Sequence, residues 1–152
     1  TRQNVPILDR KLYAPAEGLR KGAYILKDTP SKKPDLILIA SGSEVNLIVA
    51  AEQKLLEKNI TVRLVSMPSW ELFEAQPRDY RDLVLSPVVP WRLAVEAGVS
   101  QGWHRYVGDQ GDVLSVERFG ASAPGEVVMR EYGFHVENLV RKALALLGRD
   151  GR

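Results

Sequence analysis

The segment Asp35-Leu-Ile-Leu-Ile-Ala40 constrains the fold more than any other. It is an unbroken aliphatic run, which fits a central strand covered on both faces and does not fit a strand with one wet side. Ser41-Gly-Ser-Glu44 follows at once. A helical period comes next, in which Val45, Ile48, Val49, Leu55 and Leu56 share a face broken only by Glu52. Ser41 and Glu44 have capping-box spacing, with Ser43 as the alternative cap, and Asn59 marks a helix stop. Thr61-Val-Arg-Leu-Val-Ser66 reads as the next strand, ended by Met67-Pro68. Residues 35–66 therefore predict a strand–helix–strand unit, parallel and right-handed.

The rest of the chain continues the alternation. Gly22 to Lys27 is a short apolar stretch closed by a Pro-rich turn, Asp28 to Pro34, with no crossover helix. It reads as an edge strand that can run antiparallel. Trp70 to Gln76 and Tyr80 to Leu85 read as short helices around Pro77, Arg92 to Glu96 as a third core strand and Val113 to Val116 as a fourth. Pro124 suits the first position of a further helix. The last helix, Val136 to Leu147, has an unbroken stripe of Val136, Leu139, Val140, Ala143, Leu144 and Leu147, and Gly148 stops it. Strands alternating with helices predict a three-layer α/β/α domain with a mostly parallel sheet. Residues 1–18 carry Pro6 and Pro15 without a sustained period and read as an irregular arm or linker. Residues 19–148 form the domain and residues 149–152 a tail. No internal repeat or low-complexity tract interrupts this order.

Composition narrows the chemistry. At 152 residues the chain can bury a core without staples. It has no cysteine, which excludes a disulfide scaffold, a thiolate metal site and a cysteine nucleophile. With two histidines, His104 and His135, a multi-histidine metal site is not expected. The net charge is +2 and the basic residues are scattered, so no nucleic-acid face is expected. No apolar run reaches the ~20 residues of a membrane span, and no signal-peptide pattern opens the chain. A reducing, cytoplasmic setting is the expectation. The chain begins at Thr1, which leaves open that it is a piece of something longer.

Several residues are candidates for chemistry, each with a plainer alternative. Ser41 to Glu44 sits at the carboxyl end of a central strand, where α/β sheets bind ligands and helix amides attract anions. It lacks a phosphate-binding fingerprint, Glu44 would repel a phosphate, and a capped helix start explains it as well. Phe119-Gly-Ala-Ser-Ala-Pro-Gly125 is a small-residue loop, either a site of close approach to a partner or a tight turn. His104 and His135 lack the relay pattern of a triad; His135 directly precedes the last helix and is placed to cap it. Glu96 and Glu117 lie at strand ends and are candidates for a carboxylate pair. Trp70, Trp91 and Trp103 are expected to pack in the core. Arg2, beside Gln3 and Asn4, offers a planar guanidinium suited to bidentate phosphate or carboxylate binding, or is simply solvated.

Several separated blocks, in this order and spacing, resemble one family. Thr1-Arg-Gln-Asn4, Ala40-Ser-Gly-Ser-Glu-Val45, Val65-Ser-Met-Pro-Ser-Trp-Glu-Leu-Phe73, Val95-Glu-Ala-Gly98, Arg118-Phe-Gly-Ala-Ser-Ala-Pro124, Glu131-Tyr-Gly-Phe134 and Val136-Glu-Asn138 resemble the carboxyl-terminal domain of transketolase. The resemblance covers Thr1 to about Leu147. It implies a five-stranded mixed sheet between helices, first strand antiparallel, within a three-domain homodimeric enzyme. That enzyme moves a two-carbon ketol unit from a ketose phosphate to an aldose phosphate in the pentose phosphate pathway. Its cofactor, thiamine diphosphate with a divalent metal such as Mg2+ or Ca2+, supplies the carbanion chemistry and is bound by the two earlier domains. No position here matches the family's catalytic, cofactor or metal residues. The exception at the substrate is Arg2, which matches the arginine that grips the sugar phosphate. The resemblance therefore implies an isolated chain without activity, in a scaffolding and dimer-supporting role. Where the family often has threonine before Val136, this chain has His135. Dihydroxyacetone synthase, deoxyxylulose-phosphate synthase and 2-oxo acid dehydrogenase β subunits share such a third domain and remain alternatives. So does a free-standing small-anion-binding module.

Overall fold

The computed structural model describes residues 5–120 and 122–149. Five strands form one sheet in the order β1-β3-β2-β4-β5: β1 Tyr24–Lys27, β2 Leu36–Ala40, β3 Val62–Ser66, β4 Arg92–Val95 and β5 Asp112–Leu114. β1 runs antiparallel to β3, and the other neighbours are parallel. This is the mixed sheet with an antiparallel first strand that the resemblance implied. The physical reason lies in the connections. A turn alone joins β1 to β2, whereas each parallel pairing is reached through helices.

All five residues of β2 are buried, as the aliphatic run demanded. Their side chains alternate between two cores. Leu36, Leu38 and Ala40 face the layer of α1, Glu44–Leu56, and α6, Val136–Leu146. Ile37 and Ile39 face the layer of α2, Trp70–Glu74, α3, Arg78–Val84, and α4, His104–Val107. Burial of both faces is what drives the chain into three layers.

The helix ends follow their local signals. Asn59 adopts a left-handed φ of 57°, and the Ile60 and Asn59 amides return to the Leu55 and Leu56 carbonyls. That is a Schellman closure, sealed by the buried pair Leu55 and Ile60. Gly148, at φ 65°, closes α6 in the same way onto Leu144 and Ala145.

Four details depart from expectation. A 3-10 helix, Ala16–Lys21, starts inside the segment read as irregular. The buried face of α1 is Glu44, Ile48, Ala51, Glu52 and Leu55, whereas Leu56 is exposed. Glu52 is tolerated there because Lys27 of β1 reaches it at 2.9 Å. The capping box does not form: α1 starts at Glu44, and Ser41 turns its hydroxyl elsewhere. Pro124 precedes α5, Gly125–Glu131, with an extended ψ of 136°, so it stands one place before the helix.

Candidate functional site

From β2 the chain continues to β3 on one side, and β4 lies on the other. The sheet therefore has its topological switch point between β2 and β4, the crevice where open α/β sheets place ligands. The two strands end in register, Ala40 opposite Val95. The residues that emerge there are Ser41 to Glu44 from β2 and Glu96 to Gly98 from β4. The Ser41 hydroxyl donates across the crevice to Glu96 Oε2 at 3.4 Å. The Ser43 hydroxyl donates to Glu44 Oε1 at 2.8 Å. Glu44 is only 7% exposed, and Glu96 is half-buried.

Burial pushes the Glu96 carboxyl above its ordinary range, and the Glu44 charge adds to this. Hydrogen bonding from Ser41 and Trp103 opposes both effects. Two carboxylates crowding one crevice favour a proton over a second negative charge. The place can hold a proton, and it repels phosphates despite the helix amides beside it.

The other candidates lie apart. Glu117 does not meet Glu96. It accepts from the Ser100 amide at 2.9 Å and the Ser115 hydroxyl at 2.6 Å, and these bonds hold its carboxyl below the ordinary range, Ser115 most of all. The carboxylate whose charge reaches Glu96 is Glu44, a neighbour that only the strand order reveals. His135 caps α6, its Nδ1 accepting the Asn138 amide at 3.4 Å with Glu137 Oε2 3.0 Å away. His104 is the exposed first residue of α4. Trp70 and Trp103 meet edge to face with ring centroids 5.2 Å apart, beside Tyr106. Burial and the neighbouring Glu74 push the Tyr106 phenol up to about 12. Trp91 packs half-buried against the α1–α6 core. In the loop after β5, Phe119 is 98% exposed. Arg2 lies outside the described residues.

A family model described as the transketolase-like TK C-terminal domain matches residues 22–135. The chain belongs to this family. It is 53% identical over 149 residues to a transketolase of Geobacillus stearothermophilus, covering 98% of this chain and 22% of that protein. It is 48% identical over 149 residues to a transketolase of Bacillus subtilis, with the same coverage. Among solved structures, the transketolase of Pichia stipitis in complex with sedoheptulose 7-phosphate superposes with a TM-score of 0.86 at 32% identity, covering 97% of this chain and 20% of that one. The chain thus spans about a fifth of the length of the transketolases it matches.

The switch-point crevice does not fit the diphosphate of thiamine diphosphate. Among the described residues no group of three His, Asp or Glu side chains is placed to hold a metal ion. The one helix N-terminus at the switch point is guarded by Glu44 and Glu96, which would oppose a diphosphate. Among the described residues no helix is long and apolar enough to cross a membrane.

Proposed function

We propose that this chain is the carboxyl-terminal domain of a full-length transketolase. That enzyme transfers a two-carbon ketol unit between ketose and aldose phosphates with thiamine diphosphate and a divalent metal held by two preceding domains. The observation that carries this reading is 53% identity along nearly the whole chain to a transketolase. The lack of fit between the switch point and a diphosphate supports placing the cofactor elsewhere. The chain's part is to support the catalytic domains and the homodimer, in the cytosol. Residues 1–18 serve as the interdomain arm, 19–148 as the domain and 149–152 as a tail. Arg2 is the one residue assigned to substrate, its guanidinium gripping the sugar phosphate. The Pichia transketolase, solved with sedoheptulose 7-phosphate, supports a ketose phosphate as the ligand class.

Measurements on the isolated chain and on the full enzyme test this. The isolated 152 residues should show no ketol transfer and no calorimetric binding of thiamine diphosphate; micromolar binding by this chain alone overturns the reading. In the full-length enzyme, Arg2→Ala should raise KM for phosphorylated substrates far more than it lowers stability. An unchanged KM removes Arg2 from the substrate site. Acceptor preference of the full enzyme separates transketolase from dihydroxyacetone synthase.

A further inference from the structure

We propose that Ser41, Glu44 and Glu96 form a proton-operated catch between β2 and β4. With a proton held in the crevice the two strand exits stay joined, and loss of that proton lets them part. The transketolase reading above gives these three residues no part.

Along the carboxyl rim of the sheet, the strand exits are stitched sideways. The Met67 amide after β3 donates to the Ala40 carbonyl at the end of β2 at 2.9 Å. The Glu96 amide after β4 donates to the Leu114 carbonyl at the end of β5 at 2.9 Å, and the Val116 amide donates to the Gly98 carbonyl at 2.7 Å. The Ser100 amide adds its bond to Glu117 Oε1 at 2.9 Å. Between β2 and β4 the stitching is thinner. Among the described residues, the Ser41 hydroxyl on Glu96 Oε2 is the one hydrogen bond that joins residues 41–44 to residues 96–103. At 3.4 Å it is longer than the stitches beside it. The seam at the switch point therefore hangs on one side-chain carboxyl.

That carboxyl stands where its charge is disfavoured. The groups that act on it are Glu44 from α1, Ser41 from the exit of β2 and Trp103 from the turn before α4, with no lysine, arginine or histidine among them. Glu117, after β5, faces Ser100 and Ser115 instead, and His104 bears on Glu117. Burial first, and the Glu44 charge second, make the closed crevice bind a proton more tightly than an open, hydrated one. By linkage, proton uptake then closes the seam and proton release opens it.

The anchoring of the two sides decides which one gives way. Glu44 opens a helix of 13 residues whose buried face, Ile48, Ala51 and Leu55, lies in the core shared with α6. Its Oε1 is also held by Ser43. Residues 96–103 form neither helix nor strand, and Ala97 and Val99 are exposed. Gly98 lets this segment fold closely over the carboxyl, since a Cβ there would lie 3.3 Å from Glu96 Oε1. Ionised Glu96 therefore moves toward water with the Ala97–Gly98 bend. The Gly98 carbonyl, which holds Val116, moves with it, so the proton is felt at the exit of β5 as well.

Hydrogen exchange of the full-length enzyme, read by mass spectrometry from about pH 5 to about pH 8 and corrected for the intrinsic pH dependence of exchange, tests the catch. Protection of residues 41–48 and 96–103 should fall together, roughly threefold or more, as pH rises, while residues 139–143 of α6 stay constant. Protection that does not change with pH overturns the proposal, and so does a fall shared equally by α6. Glu96→Gln keeps the side chain neutral at nearly the same shape, and both segments should then hold their acid-level protection across the range. An unchanged fall in that variant places the titration elsewhere, at His104 for example, and overturns the proposal. Glu44→Gln removes the second charge and should move the fall to lower pH. A fall that stays in place shows that Glu44 takes no part and overturns the catch as drawn.

Discussion

Arg63 in β3 grips Asp28 in the β1–β2 turn with two nitrogens, Nε to Oδ1 at 3.0 Å and Nη2 to Oδ2 at 2.8 Å. The arginine is 3% exposed. It spends its remaining donors on the Leu83 and Val84 carbonyls at the end of α3 and on the Lys32 carbonyl. One buried guanidinium therefore ties together a central strand, a turn and a helix C-terminus, where positive charge is favoured. Asp28→Ala leaves that charge buried and uncompensated, and should cost about 3 kcal/mol by urea denaturation. Arg63→Lys should also lose stability, because an ammonium cannot reproduce the bidentate fork. A loss below about 1 kcal/mol for Asp28→Ala would show the pair to be no more than a surface bridge.

The switch-point carboxyls predict a pH-dependent stability. The folded pKa of Glu96 is raised, so its protonated form is favoured in the fold. Its contribution is therefore present below the unfolded pKa of about 4.3 and is lost as pH rises through the folded value. Glu96→Gln should make the protein more stable than wild type at pH 7, by up to about 1 kcal/mol. The gain should shrink as pH falls and disappear well below the unfolded value, where the glutamate is protonated in both states. Thermal melts of the two proteins across this range check it, and a gain that persists at low pH contradicts it.

Gly22 is fixed by crowding as well as by backbone. Its φ is 79°, and a Cβ there would lie 2.2 Å from the Phe73 amide nitrogen and 2.3 Å from the Ser69 carbonyl oxygen. Those atoms belong to the start of α2, which cannot withdraw without breaking the Ser69 amide bond to the Gly22 carbonyl. Gly22→Ala should cost more than about 2 kcal/mol, whereas Gly148→Ala, at φ 65° with open space around it, should cost about 1 kcal/mol. Equal losses in chemical denaturation would remove the steric part of the explanation.

The histidine cap on α6 rests on Nδ1 accepting the Asn138 amide. His135→Ala should cost about 1 kcal/mol at neutral pH, and His135→Thr should restore most of it. Chemical-denaturation midpoints of the three proteins check this, and an alanine protein as stable as wild type would mean that the cap contributes nothing.

Much of this fold was legible in the chain itself. The run from Leu36 to Ala40 could only be a strand buried on both faces, and the stripe from Val136 to Leu147 could only be a helix with one apolar side. Asn59 and Gly148 stop their helices because they tolerate a left-handed φ that other residues resist. Such features are local, and a single sequence records them in full. The family was legible too, through blocks whose order and spacing agree with the transketolase C-terminal domain matched over residues 22–135.

The site was legible only in part. Ser41 to Glu44 stood out because it follows a core strand directly, but its partner did not. From the sequence Glu96 was matched with Glu117, and only the place of β4 beside β2 put it near Glu44 instead. Asp28 and Arg63 likewise carry no pattern that joins them across 35 positions. Periodicity tells which face of an element is buried, because burial acts on each residue where it stands. Which buried faces and strand ends then meet depends on the order in which strands pair, and that order comes from the packing of the whole chain. The sequence by itself determined the layers and the family. The tertiary structure alone decided which charges share a crevice and left Phe119 facing outward.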